Sequence, residues 1–381
     1  MEYRNWDNLG AQPSLLGFGC MRFPKRADGS IDEPEAERML NRAKQAGINY
    51  FDTAWGYHSG ACEPFLGKAI AKWDRESFYL ATKLPTYAVE TLDDAKDFFE
   101  QQCKRLGVEY FDFYLLHTLN GPRFQKMVDL GVVDWCLELQ RQGKIKRFGF
   151  SFHDGYAAFA QIMAHHKWDF CQIQLNYMDT DAEEQASMKG YELAASQGVP
   201  VIIMEPVRGG GLAQLPDAVR GAFRREHPEW SDAAWALRWA ADLPNVLTVL
   251  SGMSSMEQLE ENLATFDDLR PLTRAEHAAV EETAAAILSR TNNPCTGCRY
   301  CMPCPSGVDI PVNFRIWNQY GMYQNTAGAV QSWKFEIKDE ARAKNCVGCG
   351  ACEKLCPQSI DIRKDLARLQ SELDALPDDA H

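Results

Sequence analysis

Short apolar stretches alternate with longer stretches of helical periodicity along most of the chain. Eight apolar stretches are predicted to be β-strands, because each is rich in Val, Ile, Leu and aromatic residues and ends at polar or glycine positions. The predicted strands are 14–20, 48–51, 78–83, 113–117, 145–151, 170–175, 199–205 and 246–252. Capping boxes start two of the intervening helices, at Thr91 with Asp94 and at Ser255 with Gln258, and 125–142 is predicted as one continuous helix. Eight strands alternating with helices about 30 residues apart predict an α/β fold, a closed parallel (β/α)8 TIM barrel.

The helical and strand periodicity stops near residue 290, which predicts a domain boundary. The polar segment 289–294 has no periodicity and is typical of a linker. We therefore predict a barrel domain over 1–290, a small mainly helical domain over 291–370, and a polar tail over 371–381. Within the second domain, 312–342 is rich in helix formers and aromatic residues, lacks strand alternation, and is predicted to be helical.

Composition and charge exclude some classes of partner. The 381 residues are 45% apolar and 24% charged, as expected for a globular protein with room for a large core. The net charge of -13 argues against a nucleic-acid surface and against docking on an anionic membrane, and it is compatible with a basic protein partner. The amino terminus has no apolar signal core and no run reaches membrane-spanning length, so we expect a cytoplasmic protein.

Four polar residues fall at the carboxyl ends of consecutive predicted strands or just beyond them: Asp52, Tyr57, Lys83 and His117. Each alone is explained by solvation or packing, but in a parallel barrel the carboxyl ends of strands hold the catalytic groups. An ammonium oriented by a carboxylate is expected to favour the phenolate and lower the tyrosine pKa, and a histidine can donate to a carbonyl oxygen or steer the substrate. Such a site protonates an alkoxide as a hydride arrives, or does the reverse.

The motifs around these residues resemble the aldo-keto reductases over about 3–269. The segment FDTAWGY carries the family's aspartate and tyrosine, ATK its lysine and LLH its histidine, and GACEPFLG matches the pattern G-x-x-E-x-x-L-G through Glu63. The resemblance implies an oxidoreductase that reduces a carbonyl or oxidises an alcohol with NAD(H) or NADP(H). In that role Tyr57 is the proton donor.

The resemblance also implies a nicotinamide site formed by Ser151, Gln172, Met204, Glu261 and Asn262. The serine and glutamine would hold the nicotinamide amide, the methionine stands where a stacking tyrosine is common, and the last two lie on the adenine-binding helix. Phe152 stands where the family usually has asparagine. The segment 252–262 contains three glutamates and no basic residue, which predicts weak or absent preference for the 2′-phosphate.

The substrate cannot be named from the sequence, although five residues are candidates to line its pocket: Trp6, Trp55, His58, Phe152 and His153. Packing explains Trp55 and His58 equally well.

Eight of the 13 cysteines fall in two runs after Pro294. The runs are C-x2-C-x2-C-x2-C-P, which contains Cys295, Cys298, Cys301 and Cys304, and C-x2-C-x2-C-x3-C-P, which contains Cys346, Cys349, Cys352 and Cys356. Zinc is the weaker interpretation, because both runs have four cysteines, end in Cys-Pro and lack histidine. We predict two [4Fe–4S] clusters with crossed ligands, so that Cys356 completes the first cluster and Cys304 the second. The first run is one residue shorter than usual before Cys304.

The barrel followed by this cysteine domain resembles the iron–sulfur branch of predicted aldo-keto reductases, with a helical two-cluster ferredoxin-like domain. Three functions remain open. The first is a carbonyl reductase whose clusters exchange electrons with a ferredoxin or another carrier. The second is the same enzyme with purely structural clusters. The third is a non-catalytic redox sensor or electron-transfer subunit, which the complete set of four barrel residues disfavours.

Overall fold

The computed structural model describes residues 1–6 and 9–377. The chain forms two compact units, Met1–Gly209 with Ala233–Thr273, and Gly210–Asp232 with the chain from Arg274 onward. The second unit therefore takes in two stretches that the sequence analysis assigned to the barrel domain. The domain boundaries at 290 and 370 remain predictions. No helix in the described part of the chain is long and apolar enough to cross a membrane.

The first unit is built on a closed parallel barrel, and the predicted TIM-barrel fold is confirmed. Its eight strands, all within the described residues, are β1 Leu16–Gly19, β2 Tyr50–Asp52, β3 Tyr79–Leu84, β4 Phe111–Leu119, β5 Ile145–Phe152, β6 Phe170–Gln174, β7 Val201–Met204 and β8 Val246–Gly252. Strand β1 pairs with both β2 and β8, which closes the sheet. The strands are almost wholly buried because side chains on one face fill the barrel and those on the other pack under the helices.

The helices of this unit follow the strands in alternation: α1 Glu33–Gln45, α2 Cys62–Ile70, α3 Leu92–Leu106, α4 Gly121–Asp129, α5 Val132–Arg141, α6 Tyr156–His165, α7 Ser187–Ser196, α9 Asp232–Asp242 and α10 Met256–Asp267. Both predicted caps are present, with Thr91 and Asp94 forming a capping box and Ser255 accepting from the backbone of Gln258. The prediction of one helix over 125–142 is wrong. Gly131 adopts a left-handed conformation with φ 72°, which ends α4 and starts α5.

The amino-terminal segment closes the end of the barrel at which the strands begin. Trp6 pairs with Ala11 as an antiparallel bridge and packs on the barrel core. Arg147, near the start of β5, donates to the carbonyl oxygens of Leu9 at 2.9 Å and Gly10 at 2.6 Å. The expectation that Trp6 lines the substrate pocket is therefore wrong, because the predicted catalytic residues lie at the opposite end of the strands.

The second unit contains α8 Gly221–Glu226, α11 Arg274–Leu288, α12 Ile310–Tyr323, α13 Thr326–Phe335 and α14 Ile362–Asp374. The predicted helical stretch 312–342 covers most of α12 and all of α13, which are separated where Gln324 adopts a left-handed φ of 49°. A core formed around Phe314, Trp317 and Leu369 holds α12, α13 and α14 together. The predicted tail over 371–381 begins inside α14, because Leu373 belongs to this buried core. Residues 378–381 of that tail lie outside the described part of the chain.

Candidate active site and cysteine cavities

The carboxyl ends of three neighbouring strands bring the four predicted catalytic residues together. Asp52 ends β2, Lys83 lies near the end of β3, His117 lies in β4, and Tyr57 is on the loop after β2. Lys83 Nζ donates to Asp52 Oδ1 at 2.5 Å, to the carbonyl oxygen of Thr53 at 2.8 Å and to the Tyr57 hydroxyl at 3.3 Å. The rings of Tyr57 and His117 lie 6.0 Å apart, nearly perpendicular.

The ion pair between Lys83 and Asp52 is fully enclosed, with side-chain exposures of 1% and 3%. Burial acts to lower the pKa of Lys83, but the carboxylate of Asp52 and the oxygen of Tyr57 offset this, so the pKa lies above its ordinary value. Lys83 therefore remains an ammonium at neutral pH. Its three hydrogen bonds direct the charge at the Tyr57 hydroxyl.

Burial raises the pKa of Tyr57 to about 12, although Lys83 acts in the opposite direction. The expectation of a lowered phenol pKa is therefore wrong for this structure: Lys83 contributes in the predicted direction, but the loss of hydration is larger. At neutral pH Tyr57 carries its proton. A protonated phenol beside an ammonium is suited to donate that proton to an oxygen that gains negative charge.

Burial lowers the pKa of His117 well below its ordinary value, and the cationic Lys83 adds to the effect. The imidazole is neutral at physiological pH. Its Nδ1 is buried and has no hydrogen-bond partner among the described residues. The carbonyl oxygen of His117 accepts from Thr86 Oγ1 at 2.5 Å, which fixes the backbone of the strand at this point.

A buried polar layer beneath the site fixes the backbone of Lys83. Gln102 of α3 donates to the Lys83 carbonyl oxygen at 3.0 Å and to Glu63 Oε1 at 2.8 Å. Glu63, on α2, is fully buried and also accepts from Thr82 Oγ1 at 2.7 Å. The family motif indicated Glu63. Gln102 has no local sequence signal, because its partners come from other elements.

Three of the predicted cofactor residues lie on adjacent strands. Ser151 on β5 is in register with Gln172 on β6, and Gln172 Nε2 lies 3.7 Å from Met204 Sδ on β7. The Gln172 side chain is nearly fully buried, and its Oε1 has no hydrogen-bond partner in the described part of the chain. A buried acceptor without a donor is costly, and a primary amide such as that of nicotinamide supplies the missing N–H. The residues therefore fit this end of the cofactor.

The other two predicted cofactor residues lie on α10. Asn262 is buried and donates through Nδ2 to Ser251 Oγ at 2.9 Å, which ties α10 to the end of β8. Glu261 is exposed on the same helix and is available to a ligand.

The eight cysteines of the second unit line two cavities in the predicted crossed arrangement. The first cavity is lined by Cys295, Cys298, Cys301 and Cys356, and the second by Cys304, Cys346, Cys349 and Cys352 together with Cys301. The last cysteine of each run therefore lines the cavity formed by the other run: Cys356 lines the first cavity and Cys304 the second. This exchange follows the ligand pattern of two-cluster ferredoxins.

The donor set and its surroundings fit iron–sulfur clusters. Six of the cysteines pack against the hydrophobic core of the unit, whereas Cys298 and Cys349 are exposed. Among the residues that the structure describes, no three His, Cys, Asp or Glu side chains are close enough together to ligate one single metal ion, as a zinc site would require. A [4Fe–4S] cluster spreads its thiolates over four irons, which needs sulfurs farther apart than the ligands of one zinc ion.

Comparison with known proteins agrees with this geometry. The aldo/keto reductase family matches residues 15–285, the whole barrel from β1 onward. The chain belongs to the aldo/keto reductase family. A 4Fe-4S dicluster domain matches residues 294–360. The resemblance found in the sequence is confirmed for both parts of this aldo/keto reductase, and the protein is an oxidoreductase.

Several relatives share the barrel at low identity. A probable aldo-keto reductase of Glycine max is 27% identical over 58% of this chain, and the match spans 64% of that protein. The NADH-specific methylglyoxal reductase of Escherichia coli is 23% identical over 68% of this chain and 90% of its own length. A solved aldo-keto reductase from Bacillus halodurans, in its holo form, is 25% identical with a TM-score of 0.63, covering 75% of this chain and 97% of that one.

Basic side chains from distant parts of the chain of this aldo/keto reductase contact the segment 252–262, which the sequence predicted to bind adenosine. Arg22, after β1, packs on Gly252: a Cβ at that glycine would lie 2.6 Å from Arg22 Cγ. Arg42 of α1 forms two hydrogen bonds with Glu260 of α10, at 2.6 and 2.8 Å. The segment 252–262 itself has no basic residue, so neither arginine could be found from it.

The remaining pocket candidates have different environments. Trp55 packs against α3, where the Arg105 guanidinium lies 3.3 Å from its ring centroid, and Phe152 is buried under α6. The expectation that Phe152 lines the pocket is wrong, because its side chain points to the helix layer. His58 packs on the ring of Phe23, and His153 is exposed just after β5.

Proposed function

We propose that this aldo/keto reductase uses a nicotinamide cofactor to reduce a carbonyl group, or to oxidise the alcohol, with Tyr57 as the proton donor. The observation that carries the proposal is the hydrogen-bonded series from Asp52 through Lys83 to the Tyr57 hydroxyl, at 2.5 and 3.3 Å. A solvated or packing role for each residue does not account for a fully buried ion pair directed at one phenol.

The cofactor supplies or accepts a hydride when it is bound. The residues of the chain manage the proton. Neutral His117 can donate to the carbonyl oxygen and orient it towards Tyr57, because its pKa is held well below the ordinary value. Tyr57 transfers its proton to that oxygen, and the ammonium of Lys83 stabilises the phenolate that remains. Asp52 keeps Lys83 charged, and the reverse sequence serves alcohol oxidation.

Replacement of Tyr57 by phenylalanine tests the proton-donor role. We expect Tyr57→Phe to lower kcat for a simple aldehyde by about two to four orders of magnitude with the fold unchanged. The matched control is Tyr156→Phe, which removes an exposed hydroxyl from α6. A Tyr57→Phe variant within tenfold of wild type would remove Tyr57 from this role.

We also propose that the cofactor site has weak or absent preference for the 2′-phosphate. The segment 252–262 carries Glu257, Glu260 and Glu261, and Arg42 is already paired with Glu260. A phosphate normally requires free Arg or Lys donors. Titration of the protein with NADH and NADPH tests the proposal: binding of NADPH a hundredfold tighter than NADH would contradict it and would point to Arg22.

The cysteine unit is proposed to hold two [4Fe–4S] clusters that exchange electrons with a ferredoxin or another outside carrier. Clusters of this kind supply one-electron transfer when they are bound. The proposal is supported by the two cysteine-lined cavities, each with one exposed cysteine, Cys298 in the first and Cys349 in the second. An exposed ligand brings a cluster close to the surface, where a carrier can approach.

The experiment reduces the anaerobic protein with dithionite or reduced ferredoxin and then adds substrate, with and without nicotinamide. We expect the cluster absorbance to return to the oxidised form as product appears. If the clusters stay reduced with every combination of substrate and cofactor, while the protein still turns over with NADH or NADPH, the clusters have a structural role only. Neither a nucleic acid nor a membrane is proposed as a partner.

A further inference from the structure

Arg123 lies in the first turn of α4 and has no carboxylate partner among the residues that the structure describes. Its backbone N–H donates to the side chain of the N-cap residue Asn120 at 2.9 Å. Its Nη1 donates to the carbonyl oxygen of Thr118 at 2.9 Å and to Thr118 Oγ1 at 3.2 Å. No ion pair to Arg123 occurs within 1–6 and 9–377. A partly buried guanidinium with unused donors is unusual in a chain whose net charge is -13.

The position of Arg123 is set by the strand that carries His117. Thr118, which holds the guanidinium, directly follows His117, and the backbone of His153 donates to the Leu119 carbonyl oxygen at 2.9 Å. Loss of hydration lowers the pKa values of His117 and of His153, although His153 keeps part of its surface in contact with solvent, and Lys83 and Arg123 contribute in the same direction. Both imidazoles are therefore neutral. The nearby Asp154 carboxylate accepts from the backbone of Gly121 at 3.1 Å and forms no ion pair with Arg123.

We propose that Arg123, with His153 beside it, binds an oxyanion of the substrate, so that the enzyme acts on carbonyl compounds that carry a carboxylate or a phosphate. This inference rests on the proposed carbonyl reduction. A guanidinium presents parallel N–H donors that match the two oxygens of either group, and its charge persists at every physiological pH. Lys83 cannot take this role, because Asp52 neutralises it and its three hydrogen bonds are made.

A purely structural role for Arg123 is the alternative. Thr118 has a left-handed φ of 51°, which is strained for a β-branched residue, and the guanidinium braces its carbonyl oxygen. Two substitutions of Arg123 distinguish anion binding from support of Thr118. Arg123→Gln keeps an amide donor for Thr118 and removes the charge, whereas Arg123→Lys keeps the charge. The control is Lys126→Gln on the same helix, which removes a charge paired with Glu90 at 2.8 Å.

The experiment uses the full chain, purified anaerobically with its clusters, and measures nicotinamide oxidation at low salt. One arm compares succinic semialdehyde with butanal, and the other compares glyceraldehyde 3-phosphate with glyceraldehyde. We expect kcat/KM for the anionic member of at least one pair to exceed that of the neutral member by roughly ten- to hundredfold. The arm that shows the preference identifies a carboxylate or a phosphate as the group bound.

Arg123→Gln should abolish the preference through KM, Arg123→Lys should keep part of it, and Lys126→Gln should keep all of it. Equal kcat/KM within both pairs in the wild type would overturn the subsite. An equal loss for anionic and neutral substrates in Arg123→Gln would also overturn it and assign Arg123 to the support of Thr118.

A binding arm keeps the subsite separate from the proposed reaction. Glutarate and inorganic phosphate, which cannot be reduced, are titrated calorimetrically into wild type and Arg123→Gln. If the wild type binds these anions, Arg123→Gln does not, and the wild type reduces no aldehyde, the subsite is supported and the proposed carbonyl reduction is refuted. If the wild type reduces neutral aldehydes but binds neither anion, the proposed carbonyl reduction is supported and the subsite is refuted.

Discussion

Replacement of Lys83 by methionine tests the central ion pair. The substitution keeps the length of the side chain and removes the ammonium that Asp52 contacts at 2.5 Å, while both positions remain almost fully buried. Asp52 Oδ2 already has no hydrogen-bond partner among the described residues, so the carboxylate would lose its main stabilising contact. Breaking a buried pair in this way costs about 3–5 kcal/mol, because a charge is left without compensation.

The magnitude translates into a measurable shift in melting temperature. A barrel of this size loses about 2–4 °C per kcal/mol, so Lys83→Met should lower Tm by roughly 6–20 °C. Circular dichroism would follow the barrel, and visible absorbance would follow the clusters of the other unit separately. The double variant Asp52→Asn/Lys83→Met removes both charges and should regain at least half of the loss. Turnover should fall in both, since neither retains the ammonium beside Tyr57.

The refuting result is specific. If the single and double variants melt at the same temperature, the cost of an unpaired carboxylate is not what destabilises the barrel. If Lys83→Met also keeps wild-type turnover, Lys83 does not act on Tyr57.

Two further predictions concern protonation and cluster ligands. The pKa of His117 is lowered in the folded chain, so the unfolded chain binds more protons below about pH 6.5, and stability falls as pH drops. We expect this group to lower the free energy of unfolding by up to about 1.4 kcal/mol for each pH unit. Measurements of Tm against pH should therefore give a shallower slope in His117→Gln than in the wild type, and equal slopes would contradict the prediction. For the clusters, crossed ligation predicts that Cys298→Ser/Cys356→Ser keeps about four irons while Cys298→Ser/Cys304→Ser loses both clusters. Iron and sulfide analysis decides this, and the opposite pattern would show that each run binds its own cluster.

The sequence by itself determined most strands and helices of this protein, because apolar runs and capping residues act within a few positions of each other. Strands buried on both faces appear as continuous apolar runs, and the eight predicted strands overlap those of the barrel. Asp52, Lys83 and His117 were predictable as neighbours because parallel strands end at one rim. The cysteine spacing likewise predicted the dicluster domain that the family comparison finds.

The tertiary structure alone decided what depends on distant parts of the chain. Arg22 contacts the segment 252–262, where its carbonyl oxygen accepts from Ser254 Oγ, 232 residues away in the sequence. No local sequence pattern indicates this contact. The pKa of Tyr57 depends on all the groups that exclude water from its hydroxyl. Burial raises this pKa by more than the Lys83 charge, which the sequence did predict, lowers it. Arg123 is the same kind of case: an arginine in a helix is ordinary in the sequence, and only the fold leaves it without an ion pair among the described residues and holds it on Thr118, the residue after His117.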